Sequence, residues 1–145
     1  MFKTILVPTD GSALSDKAVD AALQLARENG STVVGLSVAE PFQFSPLSEQ
    51  AMSDECAVYE EKMRAQAMQH VEKVAAAARA MDIPCETVVA QSFMPYEKII
   101  ETAQDKHCDA IVMASHGRTG FDALVHGSQT QKVLTHSKIP VLVYR

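Results

Sequence analysis

The chain has 145 residues, 47% of them hydrophobic and 21% charged, an ordinary globular mixture of the size expected for one compact domain over residues 1–145. Lys and Arg number 13 against 18 Asp and Glu, a net charge of -5 with no basic run, which argues against a sequence-independent grip on nucleic-acid phosphates. The apolar opening from Met1 to Pro8 is too short for a signal peptide, and no later run approaches the roughly 20 residues that a bilayer crossing needs, so no membrane role and a cytoplasmic location are expected.

Phe2 to Val7 is a short apolar and β-branched run halted by Pro8-Thr9-Asp10-Gly11, the pattern of a buried strand ending in a turn. Ser12 is the candidate N-cap of a helix in which Leu14, Ala18, Ala21, Ala22 and Leu25 recur at helical spacing until Asn29-Gly30 stops it. Ser31 to Val38 reads as a second strand, apolar without strict alternation, which suits a strand of a parallel sheet covered on both faces. From Glu40 to Ser53 the two prolines and two phenylalanines show no period, so a long loop or a broken helix is expected. Met52, Cys56, Tyr59, Met63, Ala67, Val71, Val74, Ala78 and Met81 then step by three and four along a long helix, a stripe of the kind that faces a core.

Pro84 to Ala90 reads as the third strand, and Pro95 opens a helix carrying Ile99, Ile100 and Ala103. The fourth strand spans Ala110 to Ala114, a short helix Ser128 to His136, and the last strand Ile139 to Tyr144. Alternation of this kind predicts an α/β fold, a doubly wound five-stranded parallel sheet with helices on both faces, in the order 3-2-1-4-5 or 2-1-3-4-5. In either, ligands bind beyond the carboxyl ends of the strands where the winding reverses. Cys56, Cys85 and Cys108 are odd in number and lack any C-x-x-C, so they signal neither a disulfide framework nor a zinc site.

In the order 3-2-1-4-5 two loops face each other. Pro8-Thr9-Asp10-Gly11 offers a carboxylate, and the stretch from Ser115 through Gly127-Ser128 is rich in glycine. Gly117, Gly120 and Gly127 let backbone N–H groups approach an anion, Ser128 starts a helix whose N-terminus favours negative charge, and Arg118 adds a cation with two parallel donors. Thr119, Ser128 and Thr130 can add hydroxyls. The alternative is a plain connection with a helix cap, since glycines outside their structural context are weak signals. Asp10 has two readings as well, a carboxylate holding Mg²⁺ through water or a solvated turn cap. No Walker lysine and no G-x-G-x-x-G follows the first strand. Neither Ser12 nor Ser128 sits in a hydrolase elbow, and the five histidines form no H-E-x-x-H, with only His116 and His126 in the proposed site loop. No metal site of the protein's own is expected.

The opening Ile5-Leu6-Val7-Pro8-Thr9-Asp10-Gly11-Ser12, the late Met113-Ala114-Ser115-His116-Gly117-Arg118-Thr119-Gly120, Gly127-Ser128 and the closing Ile139-Pro140-Val141-Leu142-Val143-Tyr144 together resemble the universal stress proteins along the whole chain. ATP-binding members of that family carry G-x2-G-x9-G-[S/T]; here Gly117 and Gly127-Ser128 stand in register, and Ala114 takes the place of the first glycine. The resemblance implies the order 3-2-1-4-5, adenine near Pro8, Thr9 and Val38, ribose near Asp10, and phosphates on Gly117, Gly127, Ser128 and Gln129. Through the same motif it brings Met113, Ala114 and Arg118 to the nucleotide. Alanine at 114 is tolerable if its φ is negative and costly if the backbone needs a positive φ.

The expected function is an ATP-binding regulatory module of the stress response, working with Mg²⁺ bound to the nucleotide, read by a protein partner of unknown identity and hydrolysing slowly at most. The alternatives are a slow ATPase or phosphoryl-transfer enzyme, and a nucleotide-free dimeric interaction protein. Ile139 to Tyr144, at one edge of the sheet, is the expected homodimer interface, because an unpaired edge accepts a second strand in a two-fold arrangement and the family dimerises in this way.

Overall fold

A computed structural model describes residues 1–43, 52–116 and 128–145. Among them the chain runs β1 (Thr4–Pro8), α1 (Ala13–Asn29), β2 (Thr32–Ala39), α2 (Met52–Ala80), β3 (Cys85–Gln91), α3 (Pro95–Asp105), β4 (Ala110–Ala114), α4 (Gln129–His136) and β5 (Val141–Tyr144). The five strands form one parallel sheet in the order β3-β2-β1-β4-β5, so the first of the two strand orders is the one adopted.

Local chemistry sets the helix ends. Ser12, in extended conformation, accepts from Ser15 N at 3.2 Å and caps α1. Gly30 closes it at φ 67, a left-handed turn open to glycine, with its own N–H and that of Ser31 both returning to Ala26 O. Ser15, Ala18, Val19, Ala22, Leu23 and Ala26 make the buried face, at the spacing of one helical stripe. Pro95 stands first in α3, where its missing N–H costs nothing.

The sheet is covered on both faces. On one, Ile5, Val7, Val33 and Val112 pack with Val19, Leu23 and Ala26 of α1 and with Val74 and Ala78 of α2. On the other, Leu6, Val34, Leu36, Ile111 and Met113 pack with Ile99 and Ala103 of α3 and Val133 of α4. Ile5, Leu6, Leu23, Leu36 and Ile111 are fully buried, each worth roughly 1.5–3 kcal/mol relative to exposure. Gly35 lets α2 come close: a methyl there would lie 3.2 Å from Val74 Cγ1.

Several boundaries differ from the sequence reading, β2 among them, which runs one residue later at each end. β1 starts at Thr4 and includes Pro8, and β3 runs one residue past Ala90 to Gln91. β5 starts at Val141, because Pro140 joins β4 through its carbonyl alone, accepting from Ile111 N at 2.9 Å. The long helical stripe divides in two: Ala67, Val71, Val74 and Ala78 are core, whereas Cys56, Tyr59 and Met63 are half-buried, toward the end of α2 that extends past the strands.

Candidate functional site

β1 and β4 are neighbours from which the chain departs to opposite faces, α1 packing on one and α4 on the other. Their ladder is short: β1 aligns with β4 at Ile5↔Ala110 and Leu6↔Ile111, but with β2 from Thr4↔Thr32 to Pro8↔Leu36. Strand parity accounts for this. Lys3 O accepts from Thr32 N and Thr9 N donates to Leu36 O, whereas Thr4 O accepts from Asp109 N; odd positions thus face β2 and even positions face β4. Pro8 faces β4 with no N–H to offer, so the ladder ends before it. Beyond that point the strands part, and a cavity of about 750 Å³ opens at their carboxyl ends, within the usual range for small-molecule sites.

Pro8, Thr9, Asp10, Val38, Met113, Ala114, Ser128 and Gln129 all line this cavity. Gly117, Arg118 and Gly127 lie outside the described residues, as do Thr119, Gly120 and His126.

The β1–α1 turn is knitted to itself. Thr9 is buried, its hydroxyl 3.0 Å from Ser15 Oγ and accepting from Gly11 N at 3.2 Å. Ser15 Oγ also donates to Ser12 O at 3.1 Å. Asp10 Oδ1 accepts from Ser12 N at 3.0 Å, the turn-capping role of an aspartate. Gly11 has φ 76, and a methyl there would lie 2.6 Å from His70 Cδ2, so only glycine admits both this backbone and the imidazole packed on it.

The start of α4 is built differently. Ser128 occupies the N-cap position in extended conformation but makes no side-chain cap bond; its hydroxyl turns to Ser115 O at 3.5 Å. Thr130 Oγ1 donates to Ala114 O at 2.7 Å, tying the helix to the end of β4. Gln129 Oε1 accepts from Tyr96 N at 3.0 Å, satisfying a first-turn donor of α3 and locking the two helix starts together. The start of α4 therefore lines the cavity through Ser128, Gln129 and Thr130 without a side-chain cap bond from Ser128. Ala114 is buried as the last residue of β4, and among the described residues the only non-glycine positions with positive φ are Asp82 and His107. Its methyl group therefore sits on an unstrained strand backbone.

Charge is unevenly distributed among the described lining residues. Asp10 and Glu40 stand at the ends of β1 and β2, whereas Lys132 stands on α4 and the imidazole of His116 follows β4.

Several lining residues are invisible to local sequence signals. Met63, Gln66, Ala67 and His70 reach the cavity from α2, and Ser92 to Pro95 from the β3–α3 connection. His70 adds a histidine from outside the loop that carries His116 and His126: its Nδ1 lies 3.4 Å from Ser37 Oγ, and its ring covers Gly11. The spacing of Met63, Ala67 and His70 on one helix face was the available signal, but a helix face does not say whether sheet or cavity lies opposite. Elsewhere, burial pushes the Cys108 thiol up to about 11 and raises that of Cys85, so both behave as packing groups. Among the described residues no group of three or more His, Cys, Asp or Glu could hold a metal ion, and no helix is long and apolar enough to cross a membrane.

A parallel sheet reversing at β1 and β4 above such a cavity defines the doubly wound α/β class. The model of the "Universal stress protein family" matches residues 1–145. A universal stress protein of Thermus aquaticus, named for its place in the QAH/OAS sulfhydrylase 3' region, is 32% identical over 149 residues, with 100% of both chains covered. The solved structure of MJ0577 of Methanocaldococcus jannaschii superposes with a TM-score of 0.81 at 25% identity, covering 99% of this chain and 96% of that one. That of the Arabidopsis thaliana family protein At3g01520, with AMP bound, superposes with a TM-score of 0.70 at 16% identity, covering 98% and 90%. This chain belongs to the universal stress protein family.

Proposed function

We propose that this protein is an ATP-binding regulatory module of the stress response, acting in the cytoplasm as a homodimer. The observation that carries the reading is the charge-separated cavity at the β1/β4 switch point. Among the described residues its carboxylates, Asp10 and Glu40, stand on the side of β1 and β2, and its cation, Lys132, and the start of α4, with no side-chain cap from Ser128, on the other. A nucleotide matches that polarity: ribose hydroxyls donate to carboxylates, and phosphates are drawn to helix N-termini and cations. The base then lies by Pro8, Thr9 and Val38, the ribose by Asp10, and the phosphates by Met113, Ala114, Ser128 and Gln129 together with Gly117, Arg118 and Gly127. Gln129 reaches them through its backbone and its amide NH2, since its Oε1 is held by Tyr96 N. The AMP bound to the A. thaliana neighbour supports an adenine nucleotide as the ligand class.

Mg²⁺ enters bound to the phosphates of the nucleotide. Fast phosphoryl transfer needs a positioned nucleophile and charge stabilisation around the terminal phosphate; with Asp10 and Glu40 on the nucleoside side, hydrolysis is slow at most. Occupancy of the start of α4, one short helix before β5, shifts the population of dimer states that a protein partner reads. The test is titration calorimetry with Mg-ATP on wild type and Gly127→Val. Wild type binds and the variant loses binding by more than about a hundredfold, as a side chain enters the phosphate path; absence of binding by wild type overturns the reading.

The dimer is formed by the segment Ile139 to Tyr144. Pro140 O and Tyr144 O face β4, so by alternation the N–H groups of Val141 and Val143 face outward at the edge, beside Leu142, which is 47% exposed. Val141→Pro removes an outward donor and spares the bonds to β4. Sedimentation should show a dimeric wild type and a weakened variant; equal dimerisation of both overturns the interface.

A further inference from the structure

We propose that Phe93 stacks on the base of the nucleotide, forming an aromatic lip where the cavity meets the ends of β2 and β3. The inference rests on the nucleotide reading above and adds a base-binding residue to it.

The connection from β3 to α3 begins against the end of β2. The two strands stay in register through Val38↔Ala90 and Ala39↔Gln91, and Ser92 N donates to Ala39 O at 3.1 Å. Phe93 therefore leaves the sheet beside the last residues of β2. The turn after it is fixed as well: Met94 N donates to Ser92 Oγ at 2.9 Å, Pro95 enters α3 with its φ preset, and Tyr96 N donates to Gln129 Oε1. Phe93 is thus carried between hydrogen-bonded residues on either side.

The Phe93 side chain lines the cavity yet is 52% exposed, and Met94, which follows it on the same wall, is 39% exposed. The other exposed large apolar side chains among the described residues, such as Val58, Met68, Leu134 and Leu142, lie away from the cavity. Neighbouring rings already have partners. Phe42 meets Tyr59 edge to face at 5.5 Å, and Tyr96 stacks on His136 at 5.4 Å with Lys132 Nζ 5.5 Å from its centroid. Phe93 meets no ring among the described residues. A lone apolar side chain on a convex surface needs no explanation, but two in succession on the wall of a concave site form a contact face.

The surface beside this lip selects its occupant. From Phe93 and Met94 after β3, the apolar lining continues on adjacent strands through Val38 and Ala39 of β2 to Pro8 of β1, and the nucleotide reading sets the base beside Pro8, Thr9 and Val38. A nucleobase presents a flat π-face that an aromatic ring covers, with the thioether of Met94 as an adaptable neighbour. Stacking of this kind is a substantial source of affinity wherever a base meets an exposed aromatic side chain.

The experiment is calorimetry of Mg-ATP on the full chain, comparing wild type with Phe93→Ala, Phe93→Leu, which keeps an apolar side chain, and Phe93→Trp, which keeps a ring. Phe93→Ala should weaken binding by about tenfold, the scale of one base–aromatic stack. Phe93→Leu should recover only a minor part of that loss, and Phe93→Trp should bind at least as tightly as wild type. The sequence has no tryptophan, so the indole of Phe93→Trp reports alone, and saturating ATP should quench its emission. Thermal melts should move little, because a half-exposed ring contributes little to the core; should the alanine variant lose its fold, the tryptophan signal reads the contact by itself. Unchanged affinity in Phe93→Ala, equal affinity in Phe93→Leu and wild type, or an emission indifferent to saturating ATP overturns the stacking role while leaving nucleotide binding intact. A changed sedimentation of Phe93→Ala at unchanged affinity assigns the lip to a second copy of the chain and overturns it too. A wild type that binds no ATP overturns the nucleotide reading and this inference with it.

Discussion

The two walls of the cavity come from equivalent places, the connections leaving β1 and β4, and they are finished in opposite ways. In the β1–α1 turn the polar groups answer one another: Ser12 caps α1, Thr9 and Ser15 share a hydroxyl contact, and Asp10 holds Ser12 N. At the start of α4 the corresponding serine does not cap, and the polar bonds run outward to other elements, from Thr130 to Ala114 O, from Ser128 to Ser115 O and from Tyr96 to Gln129. One wall is complete by itself. The other is braced against its neighbours and has no side-chain cap from its own serine where it lines the cavity. A site assembled from both has a fixed reference surface and a surface that a ligand finishes, so substitutions in the first should appear as lost stability and substitutions in the second as changed binding.

The sharpest way to break that contrast is at Gly11. Gly11→Ala forces a left-handed φ on alanine and drives its methyl into the His70 ring, and should cost about 2 kcal/mol in urea unfolding, combining backbone strain with overpacking. In a His70→Ala background the steric part disappears and roughly 1 kcal/mol should remain. Equal losses in both backgrounds would show that the imidazole yields freely and that the turn is not clamped from α2.

A smaller effect is expected on the other wall. Thr130→Val retains shape but removes the 2.7 Å bond to Ala114 O, leaving a carbonyl with one donor fewer, at about 1 kcal/mol of stability. Because that bond sets where α4 begins, ATP affinity should fall as well, by several-fold in calorimetry. A variant that loses stability without any change in affinity would contradict the view that the brace positions the ligand-facing turn.

The smallest change concerns Ala114. Its backbone is that of an ordinary strand, outside the left-handed region, so Ala114→Gly relieves nothing. It should leave ATP affinity within about twofold and lower stability by roughly 0.5–1 kcal/mol through the freedom glycine regains on unfolding. A large gain in affinity would mean that the methyl crowds the phosphates directly.

Much of this molecule was determined by short-range sequence signals. The order of strands and helices follows from runs such as Ile5 to Val7 and Ala110 to Ala114, and from stops at Ser12, Gly30 and Pro95, because caps, turns and apolar periods act over a few residues. Alternation of the two then predicts a parallel, doubly wound sheet in one of two strand orders; in the order 3-2-1-4-5, which the family resemblance implied and the structure adopts, the reversal brings Pro8-Thr9-Asp10 beside Ala114 and Ser128. What lies across from them was left to tertiary structure. A helix stripe such as Met63, Ala67, Val71 and Val74 looks uniform along the chain, yet its C-terminal part meets the sheet while Met63 and His70 meet the cavity beyond the strand ends. The grip of Gln129 on Tyr96 N, the seat of Lys132 over the Tyr96 ring and the ordinary φ of Ala114 likewise depend on where α3, α4 and β4 come to rest. Those positions are set by packing between segments distant in sequence, and no local pattern encodes the distance between them.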